Sequence, residues 1–123
     1  MKKHPNRPAR AFFTLSLAMA LALASSGCRS RVVDTTIVNE GPVLHVLELD
    51  YPSASFGADS LAPGSRYHYR FQIQGSGPVT LHFDDSFGKS HTEQGPTLNQ
   101  GQEGSLVVTI DESNQVRWST QLK

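Results

Sequence analysis

The sequence predicts an all-β domain, a single antiparallel sandwich of about seven short strands, standing behind an N-terminal export segment. Three observations carry this expectation. Nine of the ten glycines fall after residue 28 and cut the chain into short alternating runs, the pattern of strands between turns. No stretch there holds apolar side chains at a 3.6-residue spacing without meeting Gly or Pro, so a helix has no place. The one long apolar run, AFFTLSLAMALALA at 11–24, comes after Lys2, Lys3, Arg7 and Arg10, and no acidic residue precedes Asp34.

That N-terminal arrangement is a secretory leader: the basic end stays cytoplasmic while the apolar part enters the export machinery. Fourteen residues rise about 21 Å as a helix, short of the roughly 30 Å hydrocarbon core, which argues for removal over a permanent span. Directly after the run stands Ser25-Ser26-Gly27-Cys28, containing the only cysteine. This tetrad resembles the lipobox of bacterial lipoproteins. Ser26 and Gly27 match the small positions and Cys28 the acylated one, while Ser25 stands where leucine is usual and Leu23 lies two places back.

The resemblance covers residues 1–28 and implies cleavage between Gly27 and Cys28, with three acyl chains on the new N-terminus. Because Arg29 is not the aspartate that retains some lipoproteins in the inner membrane, it also implies an outer-membrane anchor facing the periplasm. One chain attaches a protein reversibly and two or more hold it firmly, each buried methylene contributing about 0.8 kcal/mol. The alternative is a conventional cut near Gly27 that leaves Cys28 as a free thiol.

The chain therefore divides into a helical leader at 1–27, a lipidated N-terminus and tether at 28–34, and the sandwich at 35–123. Beyond residue 27 there are eleven acidic and seven basic residues, a net charge of −4 that the balanced whole chain conceals. With its basic residues scattered, such a domain offers nucleic acid no electrostatic footprint. No second cysteine is present, so packing alone must hold it.

The first strand is expected from around Val32 or Val33 to Val38, ending in the turn Asn39-Glu40-Gly41-Pro42. Val43 to Tyr51 alternates, with Leu47, Leu49 and Tyr51 on the inward face and Leu44, Val46, Glu48 and Asp50 outward, and Pro52 ends the pairing. Residues 53–65 read as a loop or short edge strand anchored by Phe56 and Leu61, closing in a type II turn at Ala62-Pro63-Gly64-Ser65.

The strongest alternation comes next, with Tyr67, Tyr69, Phe71 and Ile73 inward and Arg66, His68, Arg70 and Gln72 outward. A hairpin through Gly75-Ser76-Gly77 would pair it with Val79 to Asp84, setting Ile73 against Val79 and Phe71 against Leu81. After a turn at Asp85-Ser86-Phe87-Gly88, a polar edge strand covers 89–93 and a long loop covers 94–104, with Leu98 as its apolar anchor. Strands at Leu106 to Ile110 and Val116 to Thr120, joined by a turn at Asp111-Glu112-Ser113-Asn114, complete the set.

This outline resembles the small immunoglobulin-like modules of bacterial envelope proteins, in which Asn-x-Gly ends an early strand and Leu-x-Pro-Gly precedes a long alternating one. Asn39-Glu40-Gly41 and Leu61-Ala62-Pro63-Gly64 carry the likeness. It covers about residues 33–120 and implies a fold without an activity.

In the expected hairpin, His68, Arg70, His82 and Asp84 would share the outer face. His68, His82 and Asp84 are the weak metal candidates, although Arg70 among them would repel a cation and a solvated face of charge pairs is the plainer account. Asp84, Asp85 and Glu93 are a weaker calcium candidate, since acidic residues at hairpin ends are ordinary turn formers. Gly88-Lys89-Ser90 matches only the end of a phosphate-binding loop: Phe83 stands where its first glycine belongs, and Gly95-Pro96 forbids the required helix after it. No nucleophile motif, base–nucleophile pair or cofactor motif is found, and the aromatic stripe of Tyr67, Tyr69, Phe71 and Trp118 reads as core.

The expected function is that of a non-enzymatic lipoprotein of the cell envelope, held to the membrane through Cys28, without a cofactor, and serving as a structural or protein-interaction module. The alternative is a small ligand- or metal-binding envelope protein.

Overall fold

Eight strands form, within the expected number once the optional edge strand at 53–65 is counted, and no helix occurs among the described residues, 31–123 of a computed structural model. The leader, Gly27 and Cys28 lie outside the described residues. The strands are β1 (Val33–Asn39), β2 (Leu44–Tyr51), β3 (Ala54–Leu61), β4 (Arg66–Phe71), β5 (Gly77–Asp84), β6 (Ser90–Leu98), β7 (Gly104–Ile110) and β8 (Val116–Leu122). They make two four-stranded sheets, ordered β4-β1-β7-β8 and β3-β2-β5-β6.

The sheets meet as a sandwich because each turns its apolar face inward. Val33, Ile37, Phe71, Leu106, Val108 and Ile110 face Leu47, Leu49, Val79, Leu81, Phe83 and Leu98, all buried in one cluster. Fully burying a side chain of this size is worth about 1.5–3 kcal/mol, which lets a disulfide-free domain hold together. At one open side Phe56 of β3 stacks on Tyr69 of β4, ring centroids 4.1 Å apart; Tyr69, expected in the core, stays 41 % exposed because β4 is an edge strand. At the other, Trp118 of β8 covers Gly95 of β6, where a Cβ would lie 2.7 Å from the indole.

Several expectations need correction. The hairpin between the strongest strand and its successor does not form: β4 pairs with β1, Val33 opposite Phe71, while β5 pairs with β2 and β6. Alternation tells which side chains point inward, and it cannot tell which strand lies alongside. The chain after Phe71 crosses between sheets, with Ile73 buried and the Gln72 carbonyl accepting a 2.8 Å hydrogen bond from the Tyr51 hydroxyl. One pair, β1 with β7, runs parallel, so the sandwich is not wholly antiparallel.

β6 also runs on to Leu98, shortening the expected 94–104 loop to 99–103. Its Pro96 is tolerated because β6 is an edge strand that pairs on one side only. Residues 54–61 are a full edge strand, with Phe56 and Leu61 buried as expected. Leu44, expected outward, is buried at 1 % exposure, because β2 is interrupted at Val46. Val46 takes φ 50, and the register with β5 shifts between His45 and Glu48. A β-branched residue in that region costs on the order of 1–3 kcal/mol. Just past the interruption, opposite Glu48, β3 has Gly57, where any Cβ would collide with the Leu47 carbonyl oxygen.

The registers sort the loops to two ends. Residues 40–43, 62–65, 85–89 and 111–115 gather at one end; 52–53, 72–76 and 99–103 lie at the other, with the start of β1 and Lys123. The first end is tied by Asn39, which has no exposed surface. Its side-chain amide donates to the carbonyls of Pro42 (2.8 Å), Leu61 (3.0 Å) and Ala62 (3.2 Å), and its oxygen accepts from the Gly41 amide at 2.9 Å. The turn at 62–65 closes as expected, with Gly64 at φ 75 and the Ser65 amide 3.1 Å from the Ala62 carbonyl.

Candidate functional site

The metal candidates read from the sequence do not come together. His68 lies on β4 in one sheet, its Nδ1 2.9 Å from the Thr36 hydroxyl, whereas His82 and Asp84 lie on β5 in the other sheet. Arg70, expected opposite His82, instead pairs with Asp34 at 2.8 Å across β1. Asp84 accepts a 2.7 Å hydrogen bond from Ser90.

A different group converges on the outer face of the second sheet. β2 and β5 are its inner strands, and their register sets Glu48 directly beside His82, with Asp50 two residues further along β2. One ligand atom from each of the three lies within 4.8 Å of the others. His82 Nε2 is 3.1 Å from Asp50 Oδ2, and its Nδ1 is 3.1 Å from the Thr92 hydroxyl on β6. Ser55 on β3 donates to the other oxygen of Asp50. The three side chains are half-buried or exposed, so the cluster opens to solvent.

Charge is unevenly divided between the sheets. The strands β3, β2, β5 and β6 carry Glu48, Asp50, Asp59, Asp84 and Glu93 and neither Lys nor Arg. The strands β4, β1, β7 and β8 carry Arg66, Arg70 and Arg117 against Asp34 alone. The cluster therefore sits on the acidic sheet. Sequence alternation already puts Glu48 and Asp50 outward; only the pairing of β2 with β5 brings His82 to them.

Asp85 has a structural task. Its Oδ1 accepts from the amides of Phe87 (2.9 Å) and Lys89 (3.0 Å), and its Oδ2 from His91 Nε2 (2.9 Å) and Asn114 Nδ2 (3.4 Å). The His91 hydrogen bond first, then the Lys89 amide, hold its carboxyl below the usual carboxylate range. The ring of His91 stacks on buried Phe83, centroids 4.8 Å apart. Glu93, the third member of the calcium candidate, pairs with Leu81, three residues along β5 from Asp84 and on the order of 10 Å away. Those three carboxylates do not form a site. The turn that Asp85 organises displays Phe87 at 94 % exposure, the most exposed large apolar side chain among the described residues.

Comparisons with protein families, with curated proteins and with solved structures gave no match.

Proposed function

We propose that the chain is a lipid-anchored lipoprotein of the cell envelope whose immunoglobulin-like sandwich serves as a non-catalytic structural or protein-interaction module, held in the outer membrane and facing the periplasm. The reading rests on the apolar leader, on the Ser25-Ser26-Gly27-Cys28 tetrad and on the shortness of the segment between that tetrad and the sandwich. With β1 starting at Val33, four residues separate Cys28 from the sandwich, an extended reach of about 14 Å. An anchor at Cys28 would hold the domain against the membrane surface.

The observation that carries the interaction part is Phe87. It stands on a turn fixed by Asp85, at the end of the sandwich away from the start of β1. An exposed aromatic on a preorganised turn is what an interface anchor requires, because little conformational entropy remains to be lost on binding. The immunoglobulin-like type is supported by Asn39-Glu40-Gly41 and Leu61-Ala62-Pro63-Gly64 at the ends of β1 and β3.

Membrane fractionation and intact-mass measurement test the anchor. The wild-type chain should sediment with membranes, begin at residue 28 and carry three acyl chains there, and Cys28→Ser should be released. Cys28→Ser remaining in the membrane fraction, or an unmodified sulfur on the wild type, refutes it.

One observation favours a second reading, a small ligand- or metal-binding envelope protein: the meeting of Glu48, Asp50 and His82.

A further inference from the structure

We infer that Glu48, Asp50 and His82 form a binding site for a first-row divalent transition metal of the zinc type; this rests on the second reading and is independent of the lipid anchor.

All three donors project from inner strands of a sheet, each bonded to a neighbour on both sides, so the backbone that positions them is already ordered. Ions of this type hold nitrogen and oxygen ligands at about 2.0–2.2 Å, which places the ligand atoms roughly 3–4.3 Å from one another. Donor atoms within 4.8 Å need only small side-chain rotations to close on one ion. His82 turns Nε2 toward Asp50 while Nδ1 meets the Thr92 hydroxyl, the outer hydrogen bond that orients a ligating imidazole. Ser55 does the same for Asp50.

The four strands of this sheet supply no Lys or Arg to neutralise the two carboxylates. An incoming cation therefore meets no built-in rival on them.

The donor set selects the metal. An imidazole suits zinc, copper and nickel, whereas calcium requires six to eight oxygens, and this site offers two carboxylates. Three protein ligands leave the remaining coordination positions to water, so the ion exchanges with solvent. The arrangement captures or buffers a metal and does not serve as a structural clamp.

Calorimetric titration of the purified, untagged full chain with zinc, copper and calcium chlorides in turn tests the site, alongside zinc titration of His82→Ala, Asp50→Asn, His45→Ala and His68→Ala. Melting curves of each variant without metal check that the fold is kept. One zinc per chain should bind, at least tenfold more weakly in His82→Ala and Asp50→Asn, and unchanged in His45→Ala and His68→Ala. Zinc binding that His82→Ala leaves intact refutes this site while the second reading survives. Calcium binding as tightly as zinc refutes the metal class. No binding of zinc, copper or calcium refutes the second reading as well.

Discussion

Asn39→Ala should be among the most damaging single substitutions in the domain, although it removes no apolar surface. Asn39 satisfies three carbonyls and one amide from two segments at one end of the sandwich, the 40–43 loop and the junction of β3 with the 62–65 turn. Pro42 and Ala62 are exposed, so water can replace the amide at their carbonyls; the bond to the Leu61 carbonyl is buried and the Gly41 amide is part-buried. Leaving a buried polar group unpaired costs about 1–3 kcal/mol. With one such group and one partial one, the loss comes to about 2–4 kcal/mol. For a domain of this size that lowers the melting temperature by roughly 10–25 °C. Asn39→Asp provides the control: it keeps the acceptor for Gly41 but points oxygen at three carbonyls, so at neutral pH it should be worse than alanine and recover partly in acid. Urea unfolding of the purified chains measures both. A loss below about 1 kcal/mol for Asn39→Ala would mean that water takes over the whole network, and the account of this end would fail.

Two further predictions concern stability. Because the folded-state pKa of Asp85 is depressed, its interactions stabilise the fold above the unfolded carboxyl value of about 3.9 and are lost as pH falls through the lower folded value. The advantage of wild type over Asp85→Asn, read from urea midpoints, should hold at neutral pH and shrink below about pH 4; curves that stay parallel into acid refute it. Thr35 is buried, and its hydroxyl has no hydrogen-bond partner among the described residues. Thr35→Val keeps the shape and removes the orphan, so it should raise stability by about 1 kcal/mol; a lower melting temperature would show that the hydroxyl is satisfied.

The places where sequence reading stops short share a cause. Periodicity in Tyr67, Tyr69, Phe71 and Ile73 identifies an inward face, yet adjacent strands in the chain invite a hairpin, and β4 and β5 lie in different sheets. The sequence therefore points to His68, His82 and Asp84 as metal residues, and only His82 belongs to the group that forms. The interruption at Val46 is invisible for a similar reason. An alternating run of hydrophobics shows no sign of a φ that reverses its phase, and so Leu44 reads as outward. Turns are legible because their chemistry is local: Asn39-Glu40-Gly41, Pro63-Gly64, Asp85 to Gly88 and Asp111 to Asn114 all close where their residues demand.

By itself, the sequence determined the all-β class, most strand positions and inward residues such as Leu47, Leu49, Tyr51, Phe56, Leu61 and Phe71, because side-chain alternation and turn residues act over a few positions. It also holds the export run and Cys28, on which the proposed address rests. Only the tertiary structure decided which strands are neighbours, and with that the meeting of Glu48, Asp50 and His82. Strand pairing joins residues more than thirty positions apart, and many registers satisfy the same apolar pattern; one packing of two sheets selects among them.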